Sequence, residues 1–226
     1  MTLEVSSAVQ DYAKAIYSLE QRCEKGSAVS TNALAERMGV SAASASSMVK
    51  KLDGLGLVEH VPYRGVVLTE RGLSVALEVL RHHRLLERYL AEELGVPWDR
   101  VHDEAEVLEH VLSEELEELI AAKLGHPTHD PHGDPIPDAD LRIVELATVG
   151  MDTLTVGDTG RFVRVSDSDP EMLRYLGARG ISPGETFAII DKQPFGGPVF
   201  ARFGDSDEVH PLGGRLAAAM RVEVGA

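Results

Sequence analysis

The sequence predicts a mainly α-helical protein with a smaller β component. Apolar residues recur at helical spacing as far as about Leu124. A helix-turn-helix followed by a hairpin opens the chain, and short apolar runs separated by Gly and Pro turns close it. We therefore predict a winged helix-turn-helix domain over 1–75, a helical domain with a proline-rich linker over 76–147, and a small SH3-like β-barrel over 148–226.

Length and composition set the first bounds. With 226 residues and 43% hydrophobic content, the chain can form real cores in several domains. The single cysteine, Cys23, excludes a disulfide framework and fits a reducing compartment. We find no signal-peptide pattern and no apolar run near the roughly 20 residues of a membrane span. We therefore expect a cytoplasmic location and no membrane partner.

The net charge of −15 is unevenly distributed. Residues 1–75 hold 8 basic and 8 acidic side chains, so they are neutral on balance. Residues 76–125 hold 5 basic and 13 acidic side chains, and residues 126–226 hold 9 and 16. A polyanion would therefore meet the N-terminal domain, whereas the middle of the chain would attract cations.

The N-terminal pattern is helix, helix, tight turn, helix. Residues 6–25 carry an apolar stripe at helical spacing, and residues 30–38 form a short second helix. Gly39 and Val40 make the turn, after which Ser41 caps a third helix that we expect to reach about Leu55. Two short apolar strands joined by a Gly-containing turn follow directly. This order is typical of a winged helix-turn-helix.

The third helix has the composition of a DNA-recognition helix. Its first turns are small residues that allow close approach, and two lysines follow for phosphate contact. The alternative is a small-residue helix packed tightly against a neighbouring helix. Because the first six residues include no Arg, Asn or Gln, we expect readout mainly through DNA shape. The residues assigned to DNA contact are Ser41, Ala42, Ala43, Ser44, Ser47, Lys50, Lys51, Tyr63 and Arg64.

The stretch Val101–His110 is the strongest functional signal. As a helix, VHDEAEVLEH places His102, Glu106, Glu109 and His110 on one face. Two carboxylates about 4 Å apart repel each other by roughly 4 kcal/mol at an effective dielectric constant near 20. Since no Lys or Arg occurs in residues 101–122 to form salt bridges, this face favours a divalent cation over a solvated acidic surface.

Several other residues have two interpretations. Asp11 is either a first-turn carboxylate favoured by the helix dipole or a contributor to a site. His83 and Glu87 form an i,i+4 pair that is more often a surface salt bridge. Asp167 lies beside a helix start, where it either caps that helix or reaches a distant site.

The sequence assigns no metal-binding role to four further histidines. His82 breaks the helical pattern and is interpreted as exposed. His126, His129 and His132 lie in the segment 125–140, where four prolines prevent regular structure and fix no convergent geometry. We therefore predict no metal site there.

The chain resembles the diphtheria toxin repressor family of metal-dependent regulators. The helix-turn-helix and wing, HHRLLERYL, VHDEAEVLEH, DPHGDPIP and the terminal β domain occur in the family's order across essentially the whole chain. The resemblance implies a winged helix, a helical dimerisation and metal-binding domain, and an SH3-like (FeoA-like) domain. It also implies a homodimeric repressor, not an enzyme, that binds double-stranded operator DNA when loaded with metal; two dimers on one operator are a further option.

The resemblance also implies two metal sites. A primary site would comprise Asp11, Glu106, Glu109 and His110. An ancillary site would comprise His83, Glu87, His102 and Asp167. In the family's iron-responsive branch, sulfur ligands stand at the positions of Asp11 and Glu106, so this chain resembles the manganese branch. Lys14 stands where shorter manganese regulators have a carboxylate, which argues against a closely spaced binuclear site.

We therefore expect a Mn2+-dependent transcriptional repressor, with Fe2+, Co2+ or another divalent ion as possible effectors. The alternatives are an iron-dependent regulator of the same family or a winged-helix regulator that senses an organic ligand. A di-metal carboxylate oxidase is disfavoured, because these helices lack the Glu-x-x-His pairs that such sites use.

Overall fold

A computed structural model describes residues 5–21, 28–61 and 64–225. Two residues named above, Cys23 and the predicted DNA contact Tyr63, lie outside these ranges. The chain forms two compact units. The first unit comprises the described residues of Met1–His83 with Leu108–Ser113 and Pro137–Arg142, and the second comprises Arg84–Val107, Glu114–Ile136 and Ile143–Ala226.

The first unit contains the predicted helix-turn-helix and wing. Its elements are α1 (Ser7–Glu20), α2 (Thr31–Arg37), α3 (Ala42–Gly54), the antiparallel strands β1 (Val58–Val61) and β2 (Gly65–Leu68), and the first part of α4 (Glu70–Glu92). The side chains of Ser30 and Ser41 cap α2 and α3 by accepting from Ala33 N and Ser44 N. Helix α1 ends before the predicted boundary at residue 25, with Gln21 as its C-cap.

One apolar core joins these elements. Val9 and Ile16 of α1 pack in the same cluster as Val49 and Leu52 of α3 and Val66 of β2. All five side chains are almost completely buried. Because α1 and α3 share this core, the position of α1 and that of the recognition helix are mechanically connected.

The helical middle of the chain differs from the prediction at one point. Helix α5 spans Val101–Leu108 and α6 spans Glu114–Lys123, so Glu109 and His110 lie in the turn after α5. The prediction that the whole stretch to His110 is one helix is therefore wrong. Three glutamates in the first turn of α6 favour a new helix start after Ser113, because acidic side chains stabilise a helix N-terminus.

The second unit ends in a six-stranded antiparallel sheet. Its strand order is β3-β8-β4-β5-β6-β7. The strands are β3 (Val149–Gly150), β4 (Thr159–Val165), β5 (Thr186–Lys192), β6 (Val199–Phe203), β7 (His210–Leu212) and β8 (Met220–Val224). The four longer strands and the helix α7 (Pro170–Gly177) correspond to predicted elements, whereas β3, β7 and the short α8 (Gly214–Ala219) do not.

The sheet is open, which corrects the predicted barrel. Closure would require hydrogen bonds between β3 and β7, but these are the two ends of the sheet. Both edge strands are very short, at 2 and 3 residues, so they offer little backbone for such pairing. A core that includes Phe162, Ile189 and Leu176 covers one face. No helix among the described residues has the length and apolar character that a membrane crossing requires.

Candidate metal centres

The first cluster consists of Asp11, Glu109 and His110, all in the first unit. Helix α1 supplies Asp11, and the turn after α5 supplies the other two. His110 Nε2 lies 2.8 Å from Asp11 Oδ1 and 3.5 Å from Glu109 Oε1. Asp11 is 98 positions before Glu109 in the sequence, yet the fold brings the two carboxylates and the His110 imidazole together. One donor atom of each residue lies within 4.8 Å of the other two.

Hydrogen bonds orient the donors of the first cluster. His110 Nδ1 donates to Gln10 Oε1 at 2.8 Å, which leaves the lone pair of Nε2 directed at the carboxylates. His82 Nδ1 donates to the backbone carbonyl of Glu109 at 3.0 Å. His82 is buried, so its interpretation as an exposed histidine is wrong. It holds the turn that carries Glu109.

Glu109 is the most enclosed ligand candidate of this cluster. Its side chain has no exposed surface, and its two carboxylate oxygens lie 2.6 and 2.9 Å from Lys14 Nζ. His83 Nδ1 lies 2.5 Å from Glu109 Oε2. Two positively charged or proton-donating groups therefore hold this carboxylate, which is the arrangement that a buried charge requires.

The second cluster consists of Glu87, His132 and Asp167, with His102 in contact with it. All four residues belong to the second unit. His102 Nδ1 lies 3.0 Å from Asp167 Oδ2 and 3.4 Å from Glu87 Oε1. His132 Nδ1 lies 3.8 Å from Glu87 Oε2. Glu87, His132 and Asp167 thus each bring one donor atom to a common position, and His102 contacts both carboxylates.

His132 was missed by the sequence analysis, which set aside the proline-rich segment as unable to converge on a metal. Two backbone contacts supply the geometry instead. His132 Nε2 donates to Trp98 O at 2.7 Å, and His132 O accepts from Val165 N at 2.9 Å. Gly133 permits this approach, because a Cβ there would lie 2.0 Å from Val163 O. The DPHGD motif was the sequence feature that could have indicated His132, because its loop is hydrogen-bonded to strand β4.

Asp130 shapes the same loop. Its Oδ1 accepts from the backbone N–H groups of His132 and Asp134 at 2.8 and 3.0 Å. Burial raises the pKa of Asp130, as do the nearby charges of Glu87 and Asp134. The loop therefore has a fixed conformation, and His132 Nδ1 is a buried atom without a hydrogen-bond partner.

The ionisation of the second cluster shows how it is balanced. Hydrogen bonds to Asp167 and then Glu87 raise the pKa of His102 to about 10, although burial opposes this. Burial lowers the pKa of His132, but attraction to Glu87 and Asp130 outweighs it and raises the value to about 9. Burial raises the pKa of Asp167, and the contact with His102 reverses this, so the net shift is downward. Two imidazolium ions therefore neutralise this site at neutral pH.

Two predicted ligands, Glu106 and His83, are not members of the two clusters described above. Glu106, predicted for the primary site, belongs to the second unit, where its Oε1 lies 3.8 Å from His102 Nε2. His83, predicted for the ancillary site, belongs to the first unit and contacts Glu109. Their assignments to the primary and ancillary sites stay predictions.

Both clusters fit a hard or borderline divalent cation. The donors are carboxylate oxygens and imidazole nitrogens, and no sulfur is among them. Such sets suit Mn2+ and also accept Fe2+ or Zn2+, whereas thiolate ligands select softer ions. His132 Nδ1 is buried and lies 3.8 Å from Glu87 Oε2, so it would become a ligand by releasing its proton when a cation binds.

The predicted DNA-contact face of α3 is accessible. Ala45, Val49 and Leu52 point into the core. The residues of the opposite face are all exposed, namely Ser41, Ala42, Ala43, Ser44, Ser47, Lys50 and Lys51. Arg64 in the wing is exposed as well. The small residues of α3 are therefore not explained by tight packing against another helix.

Comparison with known proteins identifies the family. Residues 4–66 match the iron dependent repressor N-terminal DNA binding domain, residues 69–138 match the iron dependent repressor metal binding and dimerisation domain, and residues 149–224 match the FeoA domain. The iron-dependent repressor IdeR of Mycobacterium leprae is 39% identical over 224 residues, which cover 94% of this chain and 95% of that protein. The chain belongs to the iron-dependent (diphtheria toxin) repressor family.

Two further relatives support this assignment. The diphtheria toxin repressor of Corynebacterium efficiens is 33% identical over 94% of this chain and 93% of its own length. A solved manganese-dependent transcriptional repressor in complex with manganese is 44% identical, with a TM-score of 0.86, and the match covers 96% of this chain and 99% of that one. The family expectation is confirmed, and structures named for manganese support the manganese branch.

Proposed function

We propose that the chain is a manganese-dependent transcriptional repressor that binds operator DNA as a homodimer. The observation that carries this is the first cluster, in which Asp11 of α1 meets Glu109 and His110 from the turn after α5. The relatives are repressors, so the function is regulatory rather than enzymatic. A divalent metal is the effector that the family and the donor sets both support.

The ligands follow from the two clusters. Asp11, Glu109 and His110 would hold one ion, with Glu106 as the further ligand that the family resemblance predicts. Glu87, His102, His132 and Asp167 would hold a second ion, with His83 as the further ligand that the family resemblance predicts there. When bound, each ion supplies two positive charges that offset carboxylate repulsion.

The chain's own residues explain how metal loading reaches the DNA-binding face. Without a metal ion, Lys14 and Gln10 of α1 pair with Glu109 and His110 in the turn after α5. An ion held by Asp11, Glu109 and His110 would tether α1 to that turn through coordination, and α1 shares a packed core with the recognition helix α3. The exposed face of α3 would then be fixed at the spacing of successive major grooves in the dimer, about 34 Å or a multiple.

Several ions per dimer make the response steeper. Metal at 100 times its dissociation constant contributes only about 2.7 kcal/mol per independent site. A nearly complete change between two conformations requires about 5.5 kcal/mol. Two sites in each of two subunits exceed that requirement, so two clusters per chain are consistent with a sharp response.

We extend the proposal to the assembly. In this proposal residues 1–75 bind DNA, and residues 76–147 form the dimerisation and metal-binding domain. Residues 148–226 form an SH3-like domain. The matched dimerisation domain supports a homodimer. Two dimers on one operator and a cytoplasmic location are further parts of the proposal, the latter because the operator is chromosomal DNA.

The test is a DNA-binding titration with Mn2+, Fe2+, Co2+ and Zn2+ side by side. Because the operator is unknown, the probe is a fluorescent duplex selected from a random pool by the manganese-loaded protein. We expect anisotropy to rise only with added metal and Mn2+ to support complete binding. Binding that is independent of metal would contradict the proposal.

Iron is the second candidate, since relatives at 31–39% identity are named iron-dependent repressors. It would be favoured if Fe2+ under anaerobic conditions gives complete binding and Mn2+ gives only partial binding at saturation. The comparison uses the fraction of DNA bound at saturating metal and not the metal affinity. The affinity of any such site rises from Mn2+ to Zn2+ for reasons intrinsic to the ions, so affinity alone would not identify the effector.

A further inference from the structure

We infer that Lys14 is a built-in competitor of the metal ion at the first cluster and thereby sets the metal concentration at which that cluster fills. The ammonium group neutralises Glu109 when no ion is bound and opposes an ion that binds there. This inference rests on the proposed function, because it concerns the same cluster. It assigns to Lys14 a role in setting affinity, not in binding the ion.

The geometry is that of a cation already in place. Lys14 Nζ contacts both oxygens of Glu109, at 2.6 and 2.9 Å. The Glu109 side chain has no exposed surface and that of Lys14 is only 13% exposed, so water screens this pair weakly. Lys14 lies on the same helix as Asp11 and one turn further along. A lysine therefore projects from α1 into the cluster beside a predicted metal ligand.

Lys14 occupies one lone pair on each oxygen of Glu109 and His83 occupies another on Oε2, so an ion coordinates this carboxylate either beside the ammonium or by displacing one of its contacts. The ammonium also repels a divalent cation at close range. A displaced contact and this repulsion both stabilise the metal-free form relative to the loaded form and so weaken metal binding. The opposite outcome would hold if Lys14 acted only by positioning Glu109, because removing the lysine would then disorder a ligand and weaken metal binding.

The charges of the cluster agree with competition. Asp11 and Glu109 carry two negative charges, and Lys14 reduces the balance to −1. Without Lys14 a divalent ion would face a balance of −2 and a stronger attraction. We therefore expect Lys14→Met, which keeps the length of the side chain and removes the charge, to bind Mn2+ more tightly.

The experiment is calorimetric titration of Mn2+ into the full-length chain carrying Asp167→Ala. Asp167 belongs to the second cluster and is partly exposed, so this background isolates the first cluster. Lys14→Met and Lys14→Gln are compared with the background protein and with Lys14→Arg, which keeps the charge. Lys123→Met is the matched control, since it removes one exposed ammonium that pairs with Glu93 at 3.2 Å.

We expect Lys14→Met and Lys14→Gln to lower the Kd for Mn2+ at least tenfold. Lys14→Arg and Lys123→Met should change it by less than about twofold, because an exposed charge is screened and Arg retains the pair. Thermal unfolding of the metal-free protein gives an independent readout. Lys14→Met should lower its Tm, because Glu109 is then buried without its ammonium partner, and Mn2+ should raise the Tm more than it does in the background protein.

An equal or higher Kd in both neutral variants would overturn the inference and assign Lys14 a positioning role. Lys14→Gln guards against misfolding of Lys14→Met, because its amide can still donate a hydrogen bond to Glu109. Failure of the proposed function would look different. In that case the background protein itself would bind no Mn2+, whereas failure of this inference alone leaves binding intact and insensitive to Lys14.

Discussion

The two clusters neutralise their carboxylates in different ways. In the first, the buried carboxylate of Glu109 is paired with the permanent charge of the Lys14 ammonium at 2.6 Å. In the second, Glu87 and Asp167 are balanced by His102 and His132, whose pKa values are raised to about 10 and 9. If both clusters hold metal as proposed, the first would exchange an ammonium for the ion and the second would exchange protons.

This difference separates what each cluster can sense. In the proposed scheme the first cluster would respond to metal in competition with the Lys14 ammonium. Histidines release their protons when they ligate a metal, so the second cluster responds to metal and to pH together. The first cluster includes Asp11 of α1, and α1 shares its core with the recognition helix. The second cluster joins the loop that carries His132, and Asp167 of the sheet domain, to helices α4 and α5.

The largest expected effect is that of Asp11→Ala. Loss of this ligand should abolish metal-dependent operator binding, a loss of at least about 100-fold, because a bound ion would no longer tether α1 to the turn after α5. The measurement is anisotropy of the selected duplex with saturating Mn2+. Analytical ultracentrifugation and circular dichroism should show the fold and the dimer unchanged, since Asp11 is a partly exposed side chain.

The matched control for Asp11→Ala is a variant of the second cluster, Asp167→Ala. Asp167→Ala removes a carboxylate of similar exposure from the other cluster, and it should weaken metal-dependent operator binding much less than Asp11→Ala. Equal losses in the two variants would mean that the clusters do not have separate roles.

The next effect is the pH dependence of the second cluster, measured in Asp11→Ala so that the first cluster is not filled. Below pH 9, metal-free His102 and His132 both carry protons that a metal ion must displace. The affinity of the second cluster for Mn2+ should therefore rise by about 10- to 100-fold per pH unit between about pH 6.5 and 8.5. Calorimetry in two buffers of different ionisation enthalpy counts the protons released, and a Kd independent of pH would refute the exchange.

The sequence was sufficient to predict the helix-turn-helix and the wing, because the signals are local: a capping serine before α3 and apolar spacing along each helix. An acidic stretch without Lys or Arg also named Glu109 and His110, which the structure brings together with Asp11. The family resemblance added Asp11, whose sequence context alone was compatible with a simple helix-dipole role.

What the sequence could not predict depends on long-range contacts. His132 was set aside because prolines give no periodic geometry, yet its orientation comes from backbone contacts to Trp98 and Val165. The turn at Glu109 and His110 was predicted as helix because helical spacing continues across it. The barrel was predicted from alternating strands, although closure depends on the length of edge strands that carry little sequence signal.

A smaller effect should follow from exchanging ligand softness. Asp11→Met with Glu106→Cys replaces oxygen donors by sulfur donors, which favour softer ions. We expect the ratio of the half-saturating Mn2+ concentration to that of Fe2+ or Co2+ to rise by at least about tenfold relative to the wild-type chain. Measuring the ratio cancels any general loss of affinity, and an unchanged ratio would refute the ligand-hardness argument for manganese.

The smallest predicted effect tests how each cluster orients its histidine. His110 is held by a side chain, Gln10, whereas His132 is held by the backbone carbonyl of Trp98. Gln10→Ala should therefore weaken Mn2+ binding at the first cluster by about tenfold, the lower range for loss of an outer hydrogen bond to a ligand histidine. Titration in the Asp167→Ala background measures this change, and Gln10→Glu, which keeps an acceptor, should restore the affinity. If Gln10→Ala binds as tightly as its parent, His110 is oriented by the packing of its turn alone.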